Sequence, residues 1–165
     1  MGHLTGFEAY AGAYLGNVNI ECGYIIPQNT ASTVYWITNP SSWSGQEGLE
    51  YEYSVASVIS VNTGYGILIG NRTRVTPRIG MAFSQIDGKF LGNSPDMDQA
   101  TFVVSGCAGI RAEYSPIPHI GLVCTSSYGI PLKKGELADK IDVSSDLVKD
   151  WCGGFSISLG VELFF

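Results

Sequence analysis

Acidic and basic side chains stand at Glu8, Glu21, Glu52, Arg72, Arg74, Arg78, Arg111, Glu113 and Glu162, in stretches that otherwise carry small polar and apolar residues. Carboxylates and guanidiniums at such positions have two chemistries open to them. They can serve acid–base catalysis beside a nucleophile or histidine, or they can pair with one another in a confined space. Catalysis lacks its other parts. His119 follows Pro118 at a tight turn and His3 lies near the start, each without a companion in the sequence. Cys22, Cys107, Cys124 and Cys152 show no C-x-x-C spacing, so no zinc site is expected, and they read as small hydrophobes. Asn71-Arg72-Thr73 matches a glycosylation sequon by chance, in a tight turn. The expectation is a non-enzymatic protein with no metal and no cofactor. Its charge network is formed by Glu8, Glu21, Arg74, Arg78, Arg111, Glu113 and Glu162 as a structural plug.

The elements that position these residues alternate with period 2, the mark of strands with one apolar and one polar face. The stretch GGFSISLGVELFF is the clearest: Phe155, Ile157, Leu159, Val161, Leu163 and Phe165 share one parity, and Ser156, Ser158, Gly160 and Glu162 the other, with Phe164 the exception. Similar alternation predicts strands over 7–15, 18–26, 51–69, 72–84, 101–114 and 119–130. In the third of these, Val55, Ile59 and Val61 are expected on the apolar side. Connections at Gly16-Asn17, Gly70-Asn71 and Ser115-Pro116-Ile117-Pro118 are tight, whereas those near 27–50, 87–100 and 131–152 are long. Short and long connections in turn are the pattern of an up-and-down meander. Residues 1–165 form a single domain.

Two media suit such strands: water around an apolar core, or lipid around a polar interior. Charged residues are only 15% of the chain, against roughly 25% for an average soluble domain. The five lysines, Lys89, Lys133, Lys134, Lys140 and Lys149, all fall in the expected loops or loop edges, and none in the predicted strands. Soluble exteriors use more lysine and glutamate than this. Lipid outside and paired charges inside account for both facts, and a closed barrel leaves no unpaired backbone edge in the bilayer. Tyr24, Tyr51, Tyr65, Tyr114 and Tyr128 near strand ends suit interfacial girdles. No run of 18 apolar residues exists for a spanning helix. A net charge of −6 without a basic cluster excludes nucleic acid as an expected partner.

The alternating terminal strand ending in Leu163 and Phe165 resembles the signal by which Gram-negative outer-membrane proteins are recognised by their assembly machinery. More narrowly, YGILIGNRTRVTPRIGMAF and IRAEYSPIPHIGLVC resemble barrel domains of Bacteroidota surface proteins of unassigned function. The resemblance implies an all-β, antiparallel up-and-down transmembrane barrel with short periplasmic turns and long outer loops. Seven strands are visible of an expected eight. With the C-terminus periplasmic, the first and last visible strands both descend, whereas single-chain bacterial barrels have even counts. An upstream strand and a signal peptide are therefore expected to precede this chain; Met1-Gly2-His3-Leu4-Thr5 has no signal-peptide features. Residues 30–38 are expected as a hairpin arm against 49–56, rising above the membrane, rather than an extra barrel strand.

An eight-stranded barrel is filled by its own side chains and offers no wide pore. Specificity would lie in the loops. Tyr35, Trp36 and Trp43 in the first long loop and Trp151 in the last are candidates for glycan or protein contact. Residues 131–152 carry Leu137, Ile141, Leu147 and Val148 among charges, a pattern suited to a short amphipathic helix. The expected function is an outer-membrane anchor or display domain, located in the outer membrane with lipid and the assembly machinery as partners. The alternative is a soluble β-barrel with a small apolar ligand in its core. The two differ on where Ile59, Val75, Phe83, Leu122 and Leu159 point.

Overall fold

The computed structural model describes residues 5–29, 33–38, 48–90, 99–133 and 153–164. Among them the protein is all-β. Nine strands form: β1 Thr5–Leu15, β2 Val18–Asn29, β3 Thr33–Thr38, β4 Gly48–Tyr65, β5 Ile67–Ile69, β6 Thr73–Phe90, β7 Gln99–Ile117, β8 Ile120–Lys133 and β9 Gly154–Leu163. They make one antiparallel sheet in the order β1-β2-β4-β6-β7-β8-β9, with β3 on β4 and β5 on β6. Every step along this path joins neighbours in the chain's up-and-down order, as the alternation of short and long connections predicts.

The tight connections set the register. Leu15 faces Val18 across a two-residue loop whose Gly16 has φ 64°, the left-handed first position that a type II′ hairpin turn requires. Ile117 faces Ile120 across Pro118-His119, where His119 takes φ 70° after a proline, as in a type II turn.

Three details depart from the sequence reading, and a fourth, the pairing of β3, matches it closely. The third predicted strand is interrupted at the single residue Gly66, whose N–H donates to Asn17 O at 2.6 Å, and β4 and β5 keep one register against β6 on either side of it. Val55 is buried (2% exposed) instead of sharing the outward parity of Ile59 and Val61, because a bulge between Val55 and Ser57 shifts the alternation by one residue. The strands also run further toward the long-connection end than the alternation suggests, so Lys89 and Lys133 lie within β6 and β8, contrary to the expectation of lysine-free strands. Finally, β3 pairs with residues 48–53 of β4, close to the predicted arm, and it continues up the same edge of β4 that β2 occupies below.

Burial is inverted relative to a water-soluble domain. Polar side chains at Asn19, Glu21, Asn62, Thr76, Ser84, Arg111 and Glu113 are buried, whereas Ile20, Ile79, Ile110, Leu122, Ile157 and Leu159 on the opposite face are exposed. Among the described residues the buried apolar side chains are Val55, Val58, Ile86 and Val103 toward the long-connection end, and Val123 nearer the tight-turn end. Side chains from β1, β2, β6, β7 and β9 meet on the polar face, so the sheet is curled into an open, barrel-like trough with that face concave. Its edge strands, β1 and β9, are not paired with each other among the described residues.

Candidate functional site

The concave face is organised by Arg111 of β7, which is 1% exposed. All three guanidinium nitrogens are engaged. Nε donates to Glu113 Oε1 at 2.6 Å, Nη2 lies 2.9 Å from Glu162 Oε2, and Nη1 pairs with Glu21 Oε2. The guanidinium also sits over the ring of Tyr10, 4.4 Å from its centroid. Arg78 donates to the other oxygen of Glu21 at 2.7 Å. Arg74 stands directly across the β6–β7 ladder from Glu113, 3.7 Å away, and covers the ring of Tyr14 at 4.0 Å. The Tyr14 hydroxyl donates to Glu113 Oε1 at 2.8 Å and lies 3.2 Å from Thr76 Oγ1.

Alternation brings these groups together. Each strand presents every second residue to the trough, and curling places those rows opposite one another although Glu21 and Arg111 are 90 positions apart. Space comes from glycine. A Cβ on Gly66 would meet Arg74 Cδ at 3.0 Å and Tyr14 Cε1 at 3.1 Å, so the stacked Arg74–Tyr14 pair depends on its absence. Gly121 similarly makes room for Phe164, whose ring would lie 2.8 Å from a Cβ there. That accounts for the aromatic on the polar parity of the terminal strand: it packs over a glycine at the tight-turn end of the trough.

Of the seven residues expected in the charge network, the structure joins six: Glu21, Arg74, Arg78, Arg111, Glu113 and Glu162. Glu8 is half-buried on the same face but makes no ion pair among the described residues. Tyr10 and Tyr14, which share a parity with Glu8 within 7–15, also reach the cluster and are not among the expected site residues; an aromatic sharing a face with paired charges is the signal that points to them. Three guanidiniums balance three carboxylates, so the cluster is neutral, and its interactions are stabilising only while every charge keeps a partner. His119 stays apart, exposed at its turn with Nδ1 3.0 Å from Phe164 O. Tyr35 and Trp36 are in β3, Leu163 ends β9 on the outward face, and Trp43, Trp151, Phe165 and the expected helix within 131–152 lie outside the described residues.

The convex face forms the second part of the site. Of the five residues that separate the two media, Ile59, Phe83, Leu122 and Leu159 are exposed, Leu159 by 81%, and Val75 is half-buried. Tyr24, Tyr65, Tyr114 and Tyr128 are exposed on this face too. Along β7 the exposed aromatics Phe102 and Tyr114 are 12 residues apart. At ~3.3 Å per residue and a ~45° tilt, that separates them by roughly 28 Å along the trough axis, close to the ~25 Å apolar band of a membrane barrel.

No protein-family model, no curated protein and no solved structure matches this chain. The resemblance to Bacteroidota barrel domains therefore rests on the quoted stretches alone.

Proposed function

We propose that this chain is the membrane-embedded part of an outer-membrane β-barrel, a non-enzymatic anchor whose long-connection end displays contact surface outside the cell. The observation that carries the reading is the inverted burial: a neutral ion-pair cluster inside, and a continuous belt of exposed Ile, Leu, Val and Phe outside. An apolar belt of that size in water would be an aggregation surface, whereas lipid covers it at no cost. The core of the alternative, a soluble barrel with an apolar ligand inside, would have to be built where Arg111 and its carboxylates now sit.

Strand lengths agree with this. β1, β2 and β9 have 11, 12 and 10 residues, near the 9–11 that cross a bilayer at a tilt. β4, β6 and β7 have 18, 18 and 19. Their surplus of seven or eight residues lies at the long-connection end, and at ~3.3 Å per residue and a ~45° tilt it rises roughly 16 Å past the belt. There β3 adds Tyr35 and Trp36 to a projecting sheet, suited to a glycan or protein partner. On this reading the terminal strand with Leu163 and Phe165 is what the outer-membrane assembly machinery engages.

Depth-dependent quenching tests the proposal. With Trp36, Trp43 and Trp151 replaced by Phe, Leu159→Trp and Ser158→Trp variants are reconstituted in vesicles of lipids spin-labelled on the acyl chain. Strong quenching at position 159 and weak quenching at 158 is expected. Equal quenching at the two positions, or none at 159, overturns it.

A further inference from the structure

The two faces of the sheet exchange character at one level. Along the outward parity of β6, Val75, Pro77, Ile79, Met81 and Phe83 give way to Gln85 and Asp87. Beside them on β4, Val61 and Ile59 give way to Ser57 and Ser54, which face Gln85 and Asp87 across the ladder. Over the same level the inner parity turns apolar, with Val55, Ile86 and Val103 all buried. Below this level the sheet is built for lipid outside, and above it for water outside. A charge on the outward face of a membrane barrel costs least at the interface, so on the membrane reading Asp87 stands at headgroup level. Belt and polar row meet at Phe102 of β7, which is exposed, lies directly opposite Gln85 and stands just above the apolar pair Phe83–Val104.

We propose that Phe102, Gln85, Asp87 and Ser57 form a contact site for the neutral sugar headgroup of a glycolipid in the leaflet at the long-connection end; the inference rests on the membrane reading above. The patch selects this occupant through its chemistry. Directly opposed strand residues hold their Cβ atoms about 5 Å apart, so the Phe102 ring gives a sugar an apolar plane beside the Gln85 amide. Gln85 Nε2 donates to Asp87 Oδ1 at 3.0 Å, which holds the two side chains in place before any ligand arrives. The amide still has a carbonyl oxygen and a second N–H, and the carboxylate its other oxygen, so the pair both accepts from and donates to hydroxyls. Of the four polar residues in the two rows, Ser54, Ser57 and Gln85 are uncharged, which suits hydroxyls better than an ammonium. The Asp87 carboxylate disfavours a headgroup with net negative charge. Continuity with the belt supplies the source, because a sugar at this height is tethered to a lipid whose chains lie against Phe83 and Val104.

The test is a lipid competition read at position 102. With Trp36, Trp43 and Trp151 replaced by Phe, the full chain carrying Phe102→Trp is reconstituted in vesicles of phosphatidylcholine spin-labelled near the top of the acyl chain. Unlabelled digalactosyl diacylglycerol, phosphatidylcholine or phosphatidylglycerol then competes with the quencher. The galactolipid is expected to relieve quenching about fivefold more effectively than phosphatidylcholine, a difference of ~1 kcal/mol, or one net hydrogen bond. Adding Gln85→Ala and Asp87→Ala is expected to abolish that preference, whereas Asp87→Asn alone keeps it and lets phosphatidylglycerol compete better than before. Leu159→Trp in the same background, lower in the belt, is expected to show no preference. Equal competition by galactolipid and phosphatidylcholine at position 102, the same preference at position 159, or a preference that survives the double alanine variant overturns the proposal. So does phosphatidylglycerol competing best, which would mean a site for anionic lipid, or relief by soluble digalactosylglycerol, which would mean a site for free glycan. Failure of the membrane reading is separable, since it leaves position 159 unquenched by any chain-labelled lipid.

Discussion

Replacing Arg111 by methionine probes the buried cluster at its hub. The substitution leaves an unbranched apolar side chain that reaches about as far as Nε, and removes the contacts with Glu21, Glu113 and Glu162 together with the Tyr10 stack. Two guanidiniums then face three carboxylates, leaving one net negative charge in a buried space. Glu21 keeps Arg78 at 2.7 Å, and Glu113 keeps Tyr14 and a long contact to Arg74. Glu162 keeps no charged partner among the described residues. Breaking a buried pair by removing one partner costs about 3–5 kcal/mol, and Arg111→Met should fall in that range or above it. The double variant Arg111→Met/Glu162→Gln restores two charges against two and should recover about 1–3 kcal/mol. Urea unfolding of protein refolded in detergent micelles or vesicles, followed by intrinsic fluorescence and by gel migration without boiling, measures both. A loss below ~1 kcal/mol for the single variant, or a double variant no better than the single, would refute the view that paired charges hold the trough together.

Further outcomes follow from the two faces. Leu159→Arg should cost about 2–4 kcal/mol in a bilayer if it sits near mid-depth, whereas a surface substitution on a soluble protein stays within about 0.5 kcal/mol; unfolding titrations in vesicles distinguish them. Cys22 and Cys124 are exposed on the convex face. In a Cys152→Ser background in vesicles they should resist a charged, water-soluble maleimide and react once the protein is unfolded, as followed by mass spectrometry; rapid labelling of the folded protein would contradict this. Gly109→Ala should destabilise by about 1–3 kcal/mol, because its Cβ would stand 2.3 Å from Ser126 O and 2.8 Å from Ser127 Cα and must push two strands apart; an unchanged urea midpoint would count against the close β7–β8 approach.

Period-2 alternation made the seven-column meander legible, since each parity is a local property of the sequence and the turn residues fix where a column ends. It also put Glu21, Arg78 and Arg111 on one face before any contact was known. What it left out depends on partners far along the chain. The bulge at Val55 arises from how β4 meets β6, and nothing local to Ser54-Val55-Ala56-Ser57 announces the shifted parity. The interruption at Gly66 comes with a hydrogen bond to Asn17, nearly fifty residues earlier. Glu8 and Tyr10 share a face and a strand, yet Tyr10 reaches Arg111 and Glu8 pairs with none of the described arginines, a difference set by curvature and depth in the trough. Phe164 broke the alternation in the sequence for a reason visible only once Gly121 lies beneath it.

The most direct test of the central claim is the solvent the folded protein requires. The chain is refolded with and without detergent, and its gel migration is compared with and without boiling. The inverted burial predicts a folded, heat-modifiable band only where detergent or lipid covers the convex face, and aggregation without it. A monodisperse, folded monomer in detergent-free buffer would contradict the account.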